Sequence, residues 1–404
     1  MAAWAKVKGI KVLASADFTH PAWLRLIKEK LEPLGNGFFR LRAPEKPDDE
    51  HLKSVPFSRD DAAFVLSTEL SFIYSKRGKV RKVHLLLLAP DFESVDKINA
   101  RLLEGGANLS SDGRPILGLD ARTFVQAVAD LCPRCVVIPA HIWTPWFSVF
   151  GASSGFEALE PCFEEMTPFL FALETGLSSD PPMNWRLSAL DKYALVSNSD
   201  AHSPSKIGRE ANAVEADFGY AGLVEAIRSK DPARFLYTVE FFPEEGKYHY
   251  DGHRACGVAF SPRESLAHGG LCPACGRKLT VGVAHRVEEL ADRGLIPDAG
   301  RRVPFKSLIP LNEIIAQALG RTAACRSVGD AYFRFIREFG DEHRILTEVP
   351  VPALCAFGPE KVGRGIERMR QGLVRIEPGH DGKYGTVRLF DPAEDPSASG
   401  PPSR

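Results

Sequence analysis

Residues 1–245 alternate short, β-rich apolar runs with stretches of helical periodicity. Near-continuous apolar strands that alternate with helices are typical of a parallel sheet covered by helices on its faces. The pattern therefore predicts an α/β domain with a largely parallel sheet. The predicted strands cover residues 11–15, 64–70, 83–89, 135–140 and 193–198, and the predicted helices cover residues 21–34, 94–105 and 120–131.

The chain changes character after residue 245. Residues 246–300 are rich in Gly, His and Cys and are too polar at their start to form a core of their own, which indicates a small metal-stabilised module. Residues 301–390 are mainly helical by pattern, with helices predicted at 311–319, 328–339 and 365–372. Residues 391–404 are rich in Pro, Ser and Asp and are expected to be a disordered tail.

Composition limits the function classes without choosing one. The net charge of −1 excludes a global basic field, although residues 76–82 and 247–306 hold clusters of Lys and Arg that suit either phosphate contacts or an ordinary solvated surface. No apolar run approaches the ~18–20 residues of a membrane span. The first residues lack a signal-peptide pattern, so we expect a cytoplasmic protein whose eight cysteines bind metal or are buried rather than form disulfides.

Imidazoles and carboxylates recur on the predicted strands, mostly at their carboxyl ends. Because these ends converge in parallel α/β folds, the side chains are expected to meet at one rim. Such donors bind Zn²⁺, Mn²⁺, Mg²⁺ or Fe²⁺, which activate water and stabilise charge during hydrolysis of a phosphoester. The competing interpretation is a set of unrelated core histidines and helix caps. The candidate metal ligands are Asp17, His20, Glu69, His84, His141, Asp200 and His202.

Five strings of the sequence resemble the endonuclease Q family, a branch of the PHP-domain proteins. They are Ala16-Asp-Phe-Thr-His-Pro21, Ser67-Thr-Glu69, Pro139-Ala-His-Ile-Trp-Thr-Pro-Trp-Phe147, Glu174-Thr-Gly-Leu-Ser-Ser-Asp-Pro181 and Val196-Ser-Asn-Ser-Asp-Ala-His-Ser-Pro204. The resemblance covers about residues 5–385 and implies a PHP-type distorted (β/α)7 barrel. It also implies a metal-dependent DNA repair endonuclease that hydrolyses the phosphodiester 5′ to deaminated bases (uracil, hypoxanthine, xanthine) or abasic sites. Asp200, His202 and Asp180 are the expected catalytic residues.

The chain departs from the family at its start. PHP proteins open with a strand that carries a His-x-His pair, whereas this chain begins with Met1-Ala-Ala-Trp-Ala-Lys, which resembles the helix after that strand. We therefore expect an N-terminally incomplete barrel that lacks two ligands. Two other functions stay open: a PHP phosphatase of small phosphate esters, and a DNA-binding protein with a decayed metal site, which the missing strand would support.

Aromatic and basic side chains suggest how DNA would be held. An enzyme that acts on one base of a duplex extrudes it and holds it by stacking and edge hydrogen bonds. Trp143, Trp146 and Phe147 are candidates for stacking, and Arg254, Arg277 and Lys278 are candidates for phosphate contacts. The alternative is that the aromatics belong to the core and that Asp180 caps a helix rather than binding metal or a base edge.

Cys272-Pro-Ala-Cys275-Gly has the spacing of a zinc knuckle, and Cys256 lies sixteen positions before it. His253 is the expected fourth ligand of this structural zinc, with His249 as the second choice. Cys132-Pro-Arg-Cys135 has the same spacing but no partner pair, so we expect Cys135 to be buried in the core and Cys132 to lie in a loop. Val387-Arg-Leu-Phe390 lacks the Gln and the paired aromatics of a sliding-clamp peptide, so a sliding clamp is a weakly supported partner.

Overall fold

The computed structural model describes residues 1–43, 47, 49–296, 300 and 302–391. The predicted tail from 392 to 404 lies outside these residues. The described strands are β1 Val12–Ala14, β2 Leu31–Pro33, β3 Phe39–Leu41, β4 Ala63–Lys76, β5 Lys79–Ala89, β6 Ile116–Leu117, β7 Val136–Pro139, β8 Ala172–Glu174, β9 Ala194–Val196, β10 Ala211–Val214, β11 Phe235–Glu240, β12 Asp251–His253, β13 Val258–Phe260, β14 Phe305–Ser307, β15 Arg375–Glu377 and β16 Thr386–Arg388.

Helices flank and follow these strands. None of those in the described residues has the length and apolarity that a membrane-spanning helix requires. They are α1 Ala2–Lys8, α2 Pro21–Lys30, α3 Glu50–Lys53, α4 Phe92–Glu104, α5 Ala121–Leu131, α6 Glu160–Phe163, α7 Pro181–Asn184, α8 Tyr220–Ser229, α9 Pro262–Ala267, α10 Val283–Leu290, α11 Leu311–Leu319, α12 Arg326–Phe339, α13 Glu342–Thr347, α14 Val351–Phe357 and α15 Glu360–Arg370.

The main sheet is mixed, so the prediction of a largely parallel sheet was wrong. Strands β4 and β5 form a long antiparallel hairpin, and β7 pairs antiparallel with β5. The basic run at 76–82 makes the hairpin turn, in which Arg77 and Gly78 both have positive φ, as a two-residue turn of this twist requires. The apolar run in β5 misled the prediction because this antiparallel strand is covered on both faces: Leu85 and Leu87 are fully buried, while Leu86 and Leu88 pack against a second apolar cluster.

Parallel pairing is confined to shorter segments. Strands β1 and β6 pair parallel with successive parts of β4, and β8 pairs parallel with β9. Strand β11 pairs antiparallel with β10 and parallel with β14. The predicted helix at 21–34 is shorter than expected, because the chain passes into β2 at Leu31. These strands bring residues from distant parts of the chain to one end of the sheet.

The helical region has its own core, and α1 packs into it. Val7 of α1 is fully buried among the side chains of α11 to α15. The Lys8 ammonium forms a buried ion pair with Glu342, which also accepts hydrogen bonds from the Tyr332 hydroxyl at 2.5 Å and from the backbone N–H of Leu311 at 3.0 Å. The first helix of the chain is therefore fixed to the C-terminal helices. Helices α13 and α14 were not predicted because both are short, and the prolines at the start of α14 break its helical periodicity.

Val387 and Phe390, at the end of the described chain, are also buried in this helical core. A sliding-clamp peptide has to be exposed to bind, so this burial argues against that partner.

Candidate metal centre

Glu69, His84 and His141 converge on one face of the sheet. Antiparallel pairing sets Ser71 of β4 opposite His84 of β5, and side chains two residues apart on a strand share a face, so Glu69 lies beside both. The backbone N–H of Ala140 donates to the His84 carbonyl at 3.0 Å, which brings His141 to the same place just after β7. Glu69 was predicted near the end of its strand but lies in the middle of β4, since the hairpin continues to Lys76.

The three side chains present donor atoms that are close enough to share one ion. His84 Nδ1 lies 2.8 Å from Glu69 Oε1 and 3.0 Å from His141 Nε2, and His141 Nε2 lies 3.3 Å from Glu69 Oε1. Four ligands at ~2.0–2.1 Å from a zinc ion lie roughly 3.3 Å from one another. The cluster therefore has the donor types and the spacing of one face of a metal site.

Two hydroxyl groups orient the histidine rings. The other ring nitrogen of His84, Nε2, is 3.1 Å from Ser71 Oγ. The Nδ1 atom of His141 is 2.9 Å from Thr144 Oγ1. Partners of this kind fix the tautomer and the direction of a metal-binding imidazole. Neither hydroxyl was identified from the sequence, although Thr144 follows His141 by three residues and could have been found as a turn partner.

The electrostatic environment keeps Glu69 ionised. Burial acts to raise the pKa of this carboxyl, but the hydrogen bonds with His141 and His84 outweigh it and hold the pKa well below its usual range. Burial lowers the pKa of His84. A guanidinium nitrogen of Arg114, a residue that sequence reasoning missed, lies 3.1 Å from Glu69 Oε1 at the partly exposed rim of the cluster.

Glu174 is a second carboxyl that sequence reasoning did not single out. It is buried, accepts the backbone N–H of His141 at 2.7 Å and accepts the Asn198 amide at 2.8 Å. Burial raises its pKa to about 7. Glu174 therefore ties the His141 loop to the end of β9.

The other four predicted ligands do not join this compact group. Burial raises the pKa of Asp17, and the negative charges of Glu69 and Asp112 raise it further. The backbone N–H of His20 donates to the Asp17 carbonyl at 2.9 Å. Asp200 and His202 pair with each other at 3.4 Å, and the His202 ring is 80% exposed, so neither donates to the cluster.

Backbone strain concentrates at these loops. Asp17, His141 and Asp200 all have positive φ, at 46°, 29° and 41°. This conformation is uncommon for residues other than glycine and clusters at functional sites, where the surrounding structure over-determines it. Gly176 packs so closely on His141 that an added Cβ would lie 2.5 Å from the His141 Cβ. The strained loops are thus held by close packing.

Asp180 and the three predicted stacking residues have different environments. Asp180 caps α7 by accepting the Met183 N–H at 3.0 Å, and burial raises its pKa to about 7. Trp143 is only 1% exposed and donates to Asn184 at 2.8 Å, so its prediction as a stacking residue was wrong: it is a core side chain. Trp146 is 41% exposed, whereas the Phe147 ring covers the His84 ring at a centroid distance of 4.8 Å.

A second donor group lies in the segment after residue 246. One donor atom from each of His253, Cys256, Cys272 and Cys275 lies within 4.8 Å of the others, and Cys275 Sγ is 3.4 Å from His253 Nδ1. His249 is buried elsewhere. Cys135 is buried, as expected, and Cys132 lies in the loop after α5, as expected, where it is buried too. The side chains of Arg254, Arg277 and Lys278 are exposed around this group.

Comparison with known proteins identifies relatives along almost the whole chain. Residues 310–373 match the family model described as the MJ0043 C-terminal domain. The chain is 30% identical over 396 residues to the uncharacterized protein YqxK of Bacillus subtilis, covering 94% of this chain and 89% of the relative. It is 31% identical over 255 residues to the uncharacterized protein MJ0043 of Methanocaldococcus jannaschii; that match spans 61% of this chain but only 31% of the relative's length.

Two solved structures share the fold. The crystal structure of the novel lesion-specific endonuclease PfuEndoQ from Pyrococcus furiosus matches with a TM-score of 0.81 and 29% identity, over 95% of this chain and 88% of that one. A crystal structure of endonuclease Q in complex with a 27-mer duplex substrate that has an abasic lesion at the active site also gives a TM-score of 0.81, with 28% identity over 98% and 92% of the two chains.

Proposed function

This chain belongs to the endonuclease Q family, and on that premise we propose that it is a metal-dependent DNA repair endonuclease. Its substrate is DNA that contains an abasic site or a deaminated base (uracil, hypoxanthine or xanthine), and it hydrolyses the phosphodiester 5′ to the lesion. The observation that carries the proposal is the compact donor group of Glu69, His84 and His141 in a chain whose structural relative was solved on abasic DNA.

The main sheet and the β8–β9 pair are proposed to form a PHP-type (β/α)7 barrel within residues 1–245. Residues 246–300 are the zinc-binding module and residues 301–390 the helical region. Contacts between α1 and the helical core join residues 1–245 to residues 301–390. We keep Asp17, His20, Asp200 and His202 in the proposal as further ligands of the barrel metals, outside the compact group.

The residues of the compact group suit a divalent cation. One carboxylate of lowered pKa and two imidazoles, each held by a hydroxyl, are donors that Zn²⁺, Mn²⁺ or Fe²⁺ accept. A divalent cation there would lower the pKa of water and neutralise charge on a phosphate. Glu69, His84 and His141 would hold it, and Glu174 would keep the His141 backbone in place.

Arg114 supplies a contact that does not depend on metal. Its guanidinium has five N–H groups, of which one donates to Glu69, and its side chain is 39% exposed at the rim. A guanidinium fork matches two phosphate oxygens and stabilises the charge that grows on them. We propose that Arg114 binds the scissile phosphate. Asp180, Asp200 and His202 are proposed as catalytic residues.

His253, Cys256, Cys272 and Cys275 are proposed to hold a structural zinc. Two thiolates on one turn, with a third thiolate and an imidazole, are the donor set of structural zinc sites. The short strands β12 and β13 bury few apolar side chains, so a metal would supply much of the local stability. Arg254, Arg277 and Lys278 would then present positive charge to the DNA backbone.

The proposal is tested with four labelled duplexes that carry one abasic site, uracil, hypoxanthine or no lesion, incubated with Mn²⁺ or Mg²⁺. We expect a single cut 5′ to each lesion and intact undamaged DNA. Glu69→Gln should abolish cutting, whereas Glu50→Gln, which changes an exposed side chain of α3, should not alter it. Release of phosphate from a small ester without DNA cleavage, or DNA binding without cutting, would contradict the proposal.

A further inference from the structure

Cys132 and Cys135 are cysteines that neither candidate metal group uses. Among the described residues, the two groups of donors that are close enough to share an ion contain neither of them. Cys132 directly follows α5 and Cys135 directly precedes β7, with the exposed Pro133 and Arg134 between them. Because the cysteines of this chain are free thiols, such a Cys-x-x-Cys pair is either part of the core packing or a dithiol that reacts with oxidants. The geometry of the turn distinguishes these two roles.

The backbone holds the two cysteines at the ends of one tight turn. The Cys135 N–H donates to the Cys132 carbonyl at 2.9 Å, and Pro133 occupies the second position, where its fixed φ suits a β-turn. A β-turn places its first and last Cα atoms within about 7 Å, and a disulfide spans roughly 4.4–6.8 Å between Cα atoms. The buried Tyr220 hydroxyl donates to the Arg134 carbonyl at 2.9 Å and fixes the turn. Closing a disulfide therefore requires little movement of the backbone.

The two thiols differ in acidity. The neighbouring thiol of Cys135 is the main cause that lowers the pKa of Cys132 to about 6. The Ser94 hydroxyl, whose oxygen lies 3.2 Å from Cys132 Sγ, and the N–H groups of Cys135 and Arg134 lower this pKa further, against the effect of burial. Cys132 and burial together raise the pKa of Cys135. Near neutral pH Cys132 is therefore a thiolate, the nucleophilic form, while Cys135 keeps its proton.

The pair is shielded from solvent but lies directly beneath the surface. Cys132 is 5% exposed and Cys135 is 3% exposed, whereas both residues between them are exposed. Cys162 provides the contrast within the same protein, because it is fully buried and burial raises its pKa to about 12. A thiol of that kind is unreactive. We expect a small oxidant to reach Cys132 through the turn and a bulky electrophile to be excluded.

We propose that Cys132 and Cys135 are a redox-active dithiol that hydrogen peroxide oxidises to a disulfide. The Cys132 thiolate attacks one oxygen of the peroxide, the O–O bond breaks, and the products are a sulfenic acid and hydroxide. The Cys135 sulfur then attacks the sulfenic sulfur, the S–O bond breaks, and a second hydroxide leaves. The proton of the Cys135 thiol and one proton from solvent convert the two hydroxides to water. The two sulfurs are thus oxidised and the peroxide is reduced, in a reaction that does not depend on the proposed endonuclease activity.

The test treats the full-length reduced protein with a small excess of hydrogen peroxide, then denatures it in an alkylating reagent and measures its cysteine peptides by mass spectrometry. The segment with Cys132 and Cys135 should lose two hydrogen atoms and escape alkylation, and dithiothreitol should restore both thiols. Cys162 should be oxidised roughly 10²-fold more slowly, because little of it is thiolate.

Single substitutions separate the two steps. Cys132→Ser removes the nucleophile, so Cys135 should stay reduced, whereas Cys135→Ser should stop at a sulfenic acid on Cys132 that dimedone labels. Cys325→Ser, at a partly buried cysteine outside the pair, is the control and should form the disulfide as wild type does. The proposal would be overturned if both thiols of wild type were oxidised no faster than Cys162, or if either formed a disulfide with a different cysteine. This wild-type measurement does not depend on the folding of any variant.

Discussion

The Nδ1 atom of His141 lies 2.9 Å from the hydroxyl oxygen of Thr144, which leaves the opposite nitrogen of the ring facing Glu69 and His84. This contact sets which nitrogen is available as a donor. The hydroxyl also bonds the backbone carbonyls of its own turn, so its position is fixed on several sides. A small loop thus directs the imidazole into the candidate metal centre.

Thr144→Val should weaken binding of a divalent cation by roughly 10- to 100-fold, because the isosteric side chain no longer orients His141. Calorimetric titration with Mn²⁺ measures this. Ser229→Ala, which removes a hydroxyl that bonds the Ala226 carbonyl and the Asp231 N–H at the end of α8, is the control and should bind Mn²⁺ as wild type does. Unchanged Mn²⁺ affinity in Thr144→Val would mean that the hydrogen bond between Thr144 and His141 Nδ1 is not needed for metal binding.

Arg114→Gln should lower kcat for lesion cleavage by roughly 10²-fold while Mn²⁺ affinity changes little, since the guanidinium is assigned to the phosphate rather than to the cation. Arg114→Lys keeps the charge without the fork and should recover part of the rate. Arg134→Gln, which removes an exposed arginine paired with Asp91, is the control. If Arg114→Gln lowered the affinity for Mn²⁺ and left kcat unchanged, the role of Arg114 would be to orient Glu69 and not to bind the phosphate.

The sequence predicted the helices better than the sheet. Helix α11 begins and ends as predicted, because its apolar spacing and the glycine that follows it are local signals. Strand direction depends on long-range pairing, and the apolar run in β5 suits a buried strand of either direction. The turn at Arg77-Gly78 was not predicted, because residues 76–82 were interpreted only as a cluster of basic side chains.

The candidate site divides in the same way. Glu69, His84 and His141 were chosen by residue type and position, and the structure brings them together. Trp143 was misjudged because an aromatic residue next to a ligand is as compatible with the core as with a pocket, and burial decides between them. Sequence reasoning missed Glu174 and Arg114 because their roles come from contacts with residues that are far away in the sequence. It missed Thr144 because the role of this residue depends on the conformation of the turn that also holds His141.

Cys275→Ser should reduce the zinc content of the purified protein and expose the segment around it to proteolysis, since little apolar burial holds β12 and β13. Zinc is measured by a chelating dye after denaturation, and cleavage sites by mass spectrometry. Cys325→Ser, at a cysteine outside the donor group, is the control. Equal zinc content in the two variants would reject the proposed site.

Glu240 is expected to make the protein less stable as the pH rises. Its side chain is fully buried and accepts the Thr175 hydroxyl at 3.0 Å. Burial raises its pKa to about 8, against the lowering effect of the neighbouring hydroxyls and with the charge of Asp180 adding to it. An unfolded chain loses this proton near pH 4.5, the ordinary value for glutamate. Between pH 4.5 and about pH 8 the folded protein holds a proton that the unfolded chain has lost. The stabilisation is therefore complete below pH 4.5 and is lost progressively as the pH rises to about 8.

Glu240→Gln removes this titration and keeps an oxygen that accepts from Thr175. From pH 5 to pH 8 the stability of wild type should fall relative to the variant, by roughly 1 kcal/mol per pH unit while the proton difference lasts. Urea unfolding of both proteins at several pH values gives the difference, and Glu225→Gln, on the exposed face of α8, should show none. A difference between wild type and Glu240→Gln that stays constant with pH would show that Glu240 is ionised in the folded protein, and that a cation or a proton from another group compensates its charge.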